Sequence, residues 1–120
     1  MNLIYVFIGG GVGAALRWML SSYLQTSSPF PLGTFAVNMI GCLLIGILSV
    51  FIIQNSNKWE LLLMVGFLGG FTTFSSFGFD LFKLLKTSNY NMLLTYVLAS
   101  NVLGLILVIV GNKLTSLVVN

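Results

Sequence analysis

The chain has no histidine, one cysteine, two prolines and only two carboxylates, Glu60 and Asp80, in 120 residues. Each scarcity removes a kind of chemistry. With no imidazole, and with both carboxylates at the ends of apolar runs, no acid–base pair is placed to work, and an enzyme is not expected. No His/Cys spacing suits a metal, and the lone Cys42 excludes an internal disulfide and reads as a small packing residue. Charged residues make up 6%, against about a quarter in a soluble domain. Such a chain cannot cover a water-facing surface. Its five basic residues form no patch, which argues against nucleic acid as a partner.

What it has instead is apolar length. Hydrophobic residues make up 58%, and residues 18–57, 61–79 and 87–112 carry no Lys, Arg, Asp or Glu. A membrane-crossing helix needs roughly 20 such residues, and helices are the choice because open sheet edges are not tolerated in hydrocarbon. The expectation is a single all-α transmembrane domain over residues 1–120, with spans at 3–24, 33–54, 60–83 and 91–111. The first span has no basic residue before Arg17, so it lacks the charged start of a cleavable signal peptide and reads as a true helix. Pro29 and Pro31 force the first turn, "QTSSPFPLG"; "QNSNKWE" and "KLLKTSNYN" supply the other two. Trp59 and Tyr90 stand where interfacial aromatics anchor a span.

Four spans place Lys58 and Lys113 on one side of the membrane and Lys83 and Lys86 on the other. Orientation follows Lys/Arg asymmetry, and here the asymmetry almost vanishes. Such a chain can insert both ways and build an antiparallel, dual-topology homodimer, an inverted repeat made of two copies. The alternative is that one basic residue decides and all copies point the same way.

Three stretches carry chemistry. In "GGGVGAALRW", residues 9–18, the glycines form a small-residue face for close helix packing. Arg17 on that helix either pairs in the interior or snorkels to the interface. In "GTFAVNMIGCLLIG", residues 33–46, Asn38 either bonds a neighbouring helix or offers its amide donors to an anion. In "GFLGGFTTFSSFGFD", residues 66–80, Gly69-Gly70 followed by Thr72-Thr73 is poor helix-forming sequence, so a broken third helix is expected. A break would free carbonyls that can take a cation, beside the hydroxyls of Thr72, Thr73, Ser75 and Ser76, which can donate to an anion. Phe67, Phe71, Phe74 and Phe77 recur at helical spacing, which suits packing, yet aromatic ring edges are positive and can meet a small anion. Tyr96, Ser100 and Gly104 share one face of the fourth span, either as a polar track or with the hydroxyls bonded back to their own helix. Asp80 and Lys83 are spaced for an ion pair at a solvated helix end.

These three stretches, in this order on successive short spans, resemble the Fluc (CrcB) fluoride channel family, and the resemblance covers essentially the whole chain. Departures are mild: Trp18 where the family often has Tyr, Ser76 for Thr, and Asp80 for Glu. The resemblance implies an antiparallel homodimer in the cell inner (cytoplasmic) membrane, with two pores for passive fluoride export and fluoride resistance. It implies that Phe74 and Phe77 form an aromatic box, that Asn38 lines the pore, and that Thr73, Ser76, Tyr96 and Ser100 extend a polar track. The carbonyls of Gly69 and Thr72 would hold a structural Na⁺ between the subunits, and Arg17 would lie near the interface and entrance. A small multidrug-resistance-type transporter shares the size and dual topology, but it needs a membrane-embedded carboxylate in its first span, and residues 1–24 have none. A non-transporting assembly subunit is the other alternative, with every glycine and hydroxyl serving packing.

Overall fold

A computed structural model describes residues 2–52 and 58–119. Its elements are α1 (Asn2–Leu24), α2 (Leu32–Ile52), a π-helical segment (Glu60–Leu68), α3 (Gly69–Phe71), α4 (Phe74–Lys86) and α5 (Tyr90–Val119). Among the described residues, four helical stretches are long and apolar enough to cross a membrane: Asn2–Leu24, Leu32–Phe51, Glu60–Lys86 and Tyr90–Val119. At about 1.5 Å per residue, the 23 residues of α1 extend about 34 Å, enough for a hydrocarbon core of about 30 Å. The expected last residues of the second span, 53–54, and most of the "QNSNKWE" turn lie outside the described residues.

Glycine sets the helix pairing. A Cβ at Gly9 would strike the Leu62 carbonyl, and one at Gly13 would strike the carbonyl of Phe67, so α1 lies backbone to backbone on the π segment. In the same way α2 lies on α5, where a Cβ at Gly46 would meet the Val108 carbonyl and one at Gly111 would sit 2.6 Å from the Leu43 oxygen. Gly111 therefore packs instead of terminating a helix. That is why α5 continues to Val119, past the end expected near 111: nothing after Gly111 breaks a helix, and Leu114, Leu117 and Val118 renew the apolar run. The α1–α2 turn is clasped by Gln25, whose Oε1 accepts from the Gly33 amide at 3.0 Å. The third span ends at Lys86, where Ser88 takes φ 58° and the Asn89 amide reaches back to the Leu84 carbonyl at 2.9 Å.

The interior is small. Tyr96 and Val37 are fully buried, and Phe77 and Leu84 complete the cluster around Tyr96 together with the half-buried Phe30 and Phe35. Large apolar side chains such as Leu3, Phe7, Leu105 and Leu117 stand in the open. The accessible surface of 7663 Å² exceeds the about 6,400 Å² typical of a water-soluble fold of this mass, and the exposed large apolar side chains are surface that lipid or another chain can cover.

Candidate functional site

Helical winding stops after Phe71 and resumes at Phe74. Thr72 (φ −86°, ψ 159°) and Thr73 (φ −150°, ψ 123°) are extended. Two β-branched residues after two glycines disfavour helix locally, and the neighbours then use the backbone groups that are freed. From α2, the Asn38 Nδ2 donates to the Thr73 carbonyl at 3.0 Å, and the Thr73 amide donates to Asn38 Oδ1 at 2.9 Å. The side-chain amide thus behaves like a neighbouring strand. From α1, the Arg17 Nε donates to the Gly70 carbonyl at 3.0 Å. The Thr73 hydroxyl caps α4 by accepting from the Ser76 amide at 3.0 Å, a role such residues fill at helix starts. The Thr72 hydroxyl folds back on the Leu68 carbonyl at 2.8 Å.

These contacts bring both side chains onto the backbone of the third span. Arg17 is half-buried and bonded inside the bundle, and Asn38 bridges two elements while keeping one N–H to spare. Among the described residues, no donor is paired with the Gly69 or Thr72 carbonyl oxygen, and no group of three His, Cys, Asp or Glu comes together.

A cleft of about 420 Å³ opens beside the extended pair, and Asn38, Thr72, Thr73, Phe74, Phe77 and Ser100 share its wall. The rings of Phe74 and Phe77 lie 5.8 Å apart, tilted by 41°. They differ in setting: Phe77 is buried at 9% exposure, whereas Phe74 projects at 83%. Cys42 also borders the cleft, and a Cβ at Gly104 would sit 3.2 Å from its Sγ, so the thiol packs on α5. The Ser100 hydroxyl has no partner among the described residues, so the back-bonded alternative is not what the helix adopts there.

Tyr96 and Ser76 stand apart from this wall. The Tyr96 hydroxyl donates to Asp80 Oδ2 at 3.1 Å, and its ring packs 4.9 Å from that of Phe77. Asp80 is correspondingly not at a solvated helix end. It is buried at 9% exposure, because the hydroxyl of a fully buried tyrosine needs an acceptor. The expected pairing with Lys83 is present, with Nζ 3.5 Å from Oδ1. A second recess of about 580 Å³, lined by Ser21, Gln25, Thr34, Asp80, Lys83 and Thr87, leads to this pair. The Asp80–Tyr96 and Arg17–Gly70 contacts escaped the sequence. The signals available were a carboxylate just inside an apolar span, and Gly9, Gly13 and Arg17 spaced four apart on α1.

Among the described residues, four helical stretches long and apolar enough to cross a membrane define a multi-pass membrane protein. Residues 4–112 match the family described as CrcB-like protein, Camphor Resistance (CrcB), and the chain belongs to that family. It is 44% identical over 114 residues to a protein of Phocaeicola vulgatus, covering 92% of this chain and 94% of the relative. It is 43% identical over 120 residues to one of Helicobacter acinonychis, covering 92% and 94%, and 40% identical over 121 residues to one of a Hydrogenobaculum species, covering 98% and 99%. All three relatives bear the name fluoride-specific ion channel FluC. The family is one of ion channels, not enzymes.

Proposed function

We propose that this chain is a fluoride-selective channel. Two copies assemble antiparallel as a dual-topology homodimer with two pores, which carry fluoride passively out of the cytoplasm across the inner membrane and so confer fluoride resistance. The supporting observation is the cleft wall where Asn38, the extended Thr72–Thr73 pair, Ser100 and the Phe74–Phe77 rings meet, in a chain whose relatives are named for fluoride.

Fluoride is small and strongly hydrated, so a dry passage has to replace its water with other donors. The free Ser100 hydroxyl and the spare Asn38 N–H can donate, and the phenylalanine rings add positive edges without a full charge. Moderate binding at several such points favours passage over trapping. Tyr96, its hydroxyl committed to Asp80, buttresses Phe77 from behind, and the Thr73 hydroxyl and Ser76 amide together hold the start of α4. The third span acts as a broken helix whose interruption supplies the polar backbone at mid-membrane.

The unpaired Gly69 and Thr72 carbonyls fit a hard monovalent cation, and in this reading they hold a structural Na⁺ together with the same carbonyls of a second copy. When bound, that ion supplies a fixed positive charge where the copies meet. Dimerisation is supported by the outward Phe74 and the exposed apolar faces, and the antiparallel arrangement by the two-against-two lysine balance. The test is efflux from liposomes containing this protein alone, read with fluoride- and chloride-selective electrodes. Fast fluoride release with negligible chloride release is expected. Folded, inserted protein that releases no fluoride would overturn the reading.

A further inference from the structure

We propose that Arg17 is a positioning residue that holds the interrupted third span in shape through one contact, its Nε–H donating to the Gly70 carbonyl. In a continuous helix that carbonyl would accept from the Phe74 amide four residues on. The extended Thr72–Thr73 pair takes Phe74 out of reach, and Arg17 supplies the donor that the helix lost, at 3.0 Å.

The local geometry is specific to this task. Gly9, Gly13 and Arg17 recur every four residues and so lie along one face of α1. Gly9 and Gly13 seat that face on the backbone of the third span, and a Cβ at Gly70 would strike the Gly10 carbonyl. Backbones this close put Gly70 within reach of Nε, partway along the side chain, instead of the guanidinium tip. Among the described residues Arg17 meets no carboxylate, so its anchor inside the bundle is the backbone of the interruption. With Asn38 bonded to Thr73 from the other side, the extended pair is held between α1 and α2, and Gly69 and Thr72 keep their carbonyls free. The consequence for conduction rests on the channel reading above; the holding of the third span does not.

Three substitutions in the full chain, reconstituted in liposomes, separate donor from charge. Arg17→Gln keeps an N–H donor the same number of bonds from Cβ as Nε and removes the charge. Arg17→Lys keeps the charge but carries its donor one atom further out, and Arg17→Met keeps only the apolar stem. The primary readout is deuterium uptake by the peptide containing the Thr72 and Thr73 amides, with a peptide from the middle of α5 as the control for global unfolding. Arg17→Met is expected to raise exchange at Thr72 and Thr73 about tenfold, the opening equivalent of one hydrogen bond, while Arg17→Gln restores most of the protection. Fluoride efflux should follow the same order, slow in Arg17→Met and largely recovered in Arg17→Gln. Wild-type exchange in Arg17→Met, or protection restored by Lys and not by Gln, would overturn the proposal. If Arg17→Met fails to fold, the ranking of Gln against Lys decides it in the same way. Absence of fluoride efflux from the unsubstituted protein would count against the channel reading alone and leave the exchange result to judge Arg17.

Discussion

At the scale of the residue, Thr72, Thr73, Asp80 and Lys83 of the third-span region each have a definite partner, and the partners assign different work to neighbouring positions. Phe77 is held between Tyr96 and the cleft, whereas Phe74 projects outward. Replacing either ring by isoleucine removes the positive edge while keeping apolar bulk. Phe74→Ile and Phe77→Ile are each expected to cut fluoride efflux at least tenfold, a loss of about 1.4 kcal/mol, with dimerisation intact; unchanged flux in both would dismiss the aromatic box. Asn38→Asp keeps an acceptor for the Thr73 amide but sets a carboxylate oxygen against the Thr73 carbonyl and brings negative charge to the cleft. Efflux should be suppressed, and a normal rate would show that Asn38 does not line the path. Tyr96→Phe strips the buried Asp80 of a hydrogen bond, a change that costs about 1–3 kcal/mol. It should lower the thermal midpoint in detergent, and an unaltered midpoint would deny that pairing any weight.

At the scale of the element, close helix approach explains why the chain carries thirteen glycines, and the structure separates those that matter from those that do not. Gly13 and Gly11 are two residues apart on α1, yet a Cβ at Gly13 would strike the Phe67 carbonyl while one at Gly11 meets nothing within 4 Å. Gly13→Ala should therefore destabilise the protein by about 1–3 kcal/mol and pull Arg17 off Gly70, whereas Gly11→Ala should be neutral or stabilising by up to about 1 kcal/mol. Equal melting behaviour of the two variants would reject the packing argument. The glycine cluster was legible as a close-packing face; which glycines face the third span was not, because a stretch with three consecutive glycines does not mark its own buried side. The extended Thr72–Thr73 pair was signalled by local propensity, since glycine entropy and β-branching act within a few residues. Its two braces were not, because Arg17 and Asn38 lie 53 and 35 residues away along the chain.

At the scale of the whole molecule, the near-balanced lysines and the exposed apolar surface belong to one argument about assembly. If orientation is poised, a small charge change should tip it. Adding two basic residues to the first turn, as in Ser27→Arg with Ser28→Arg, is expected to force one orientation and abolish efflux when expressed alone. Efflux should return when a copy biased the opposite way is coexpressed. Full activity from the biased chain alone would rule out an antiparallel requirement.

The sequence by itself determined the solvent and the number of crossings, because a chain with so few charges can bury its surface only in lipid, and charge-free length counts the helices directly. It also located the weak point in the third span, where propensity is local. Tertiary structure alone decided what that weak point is bonded to, that Gly111 packs against α2, and that Asp80 is buried beneath Tyr96. Each of those outcomes depends on a partner from a distant part of the chain, and hydrogen-bond satisfaction in a low-dielectric interior is settled only once the helices have packed.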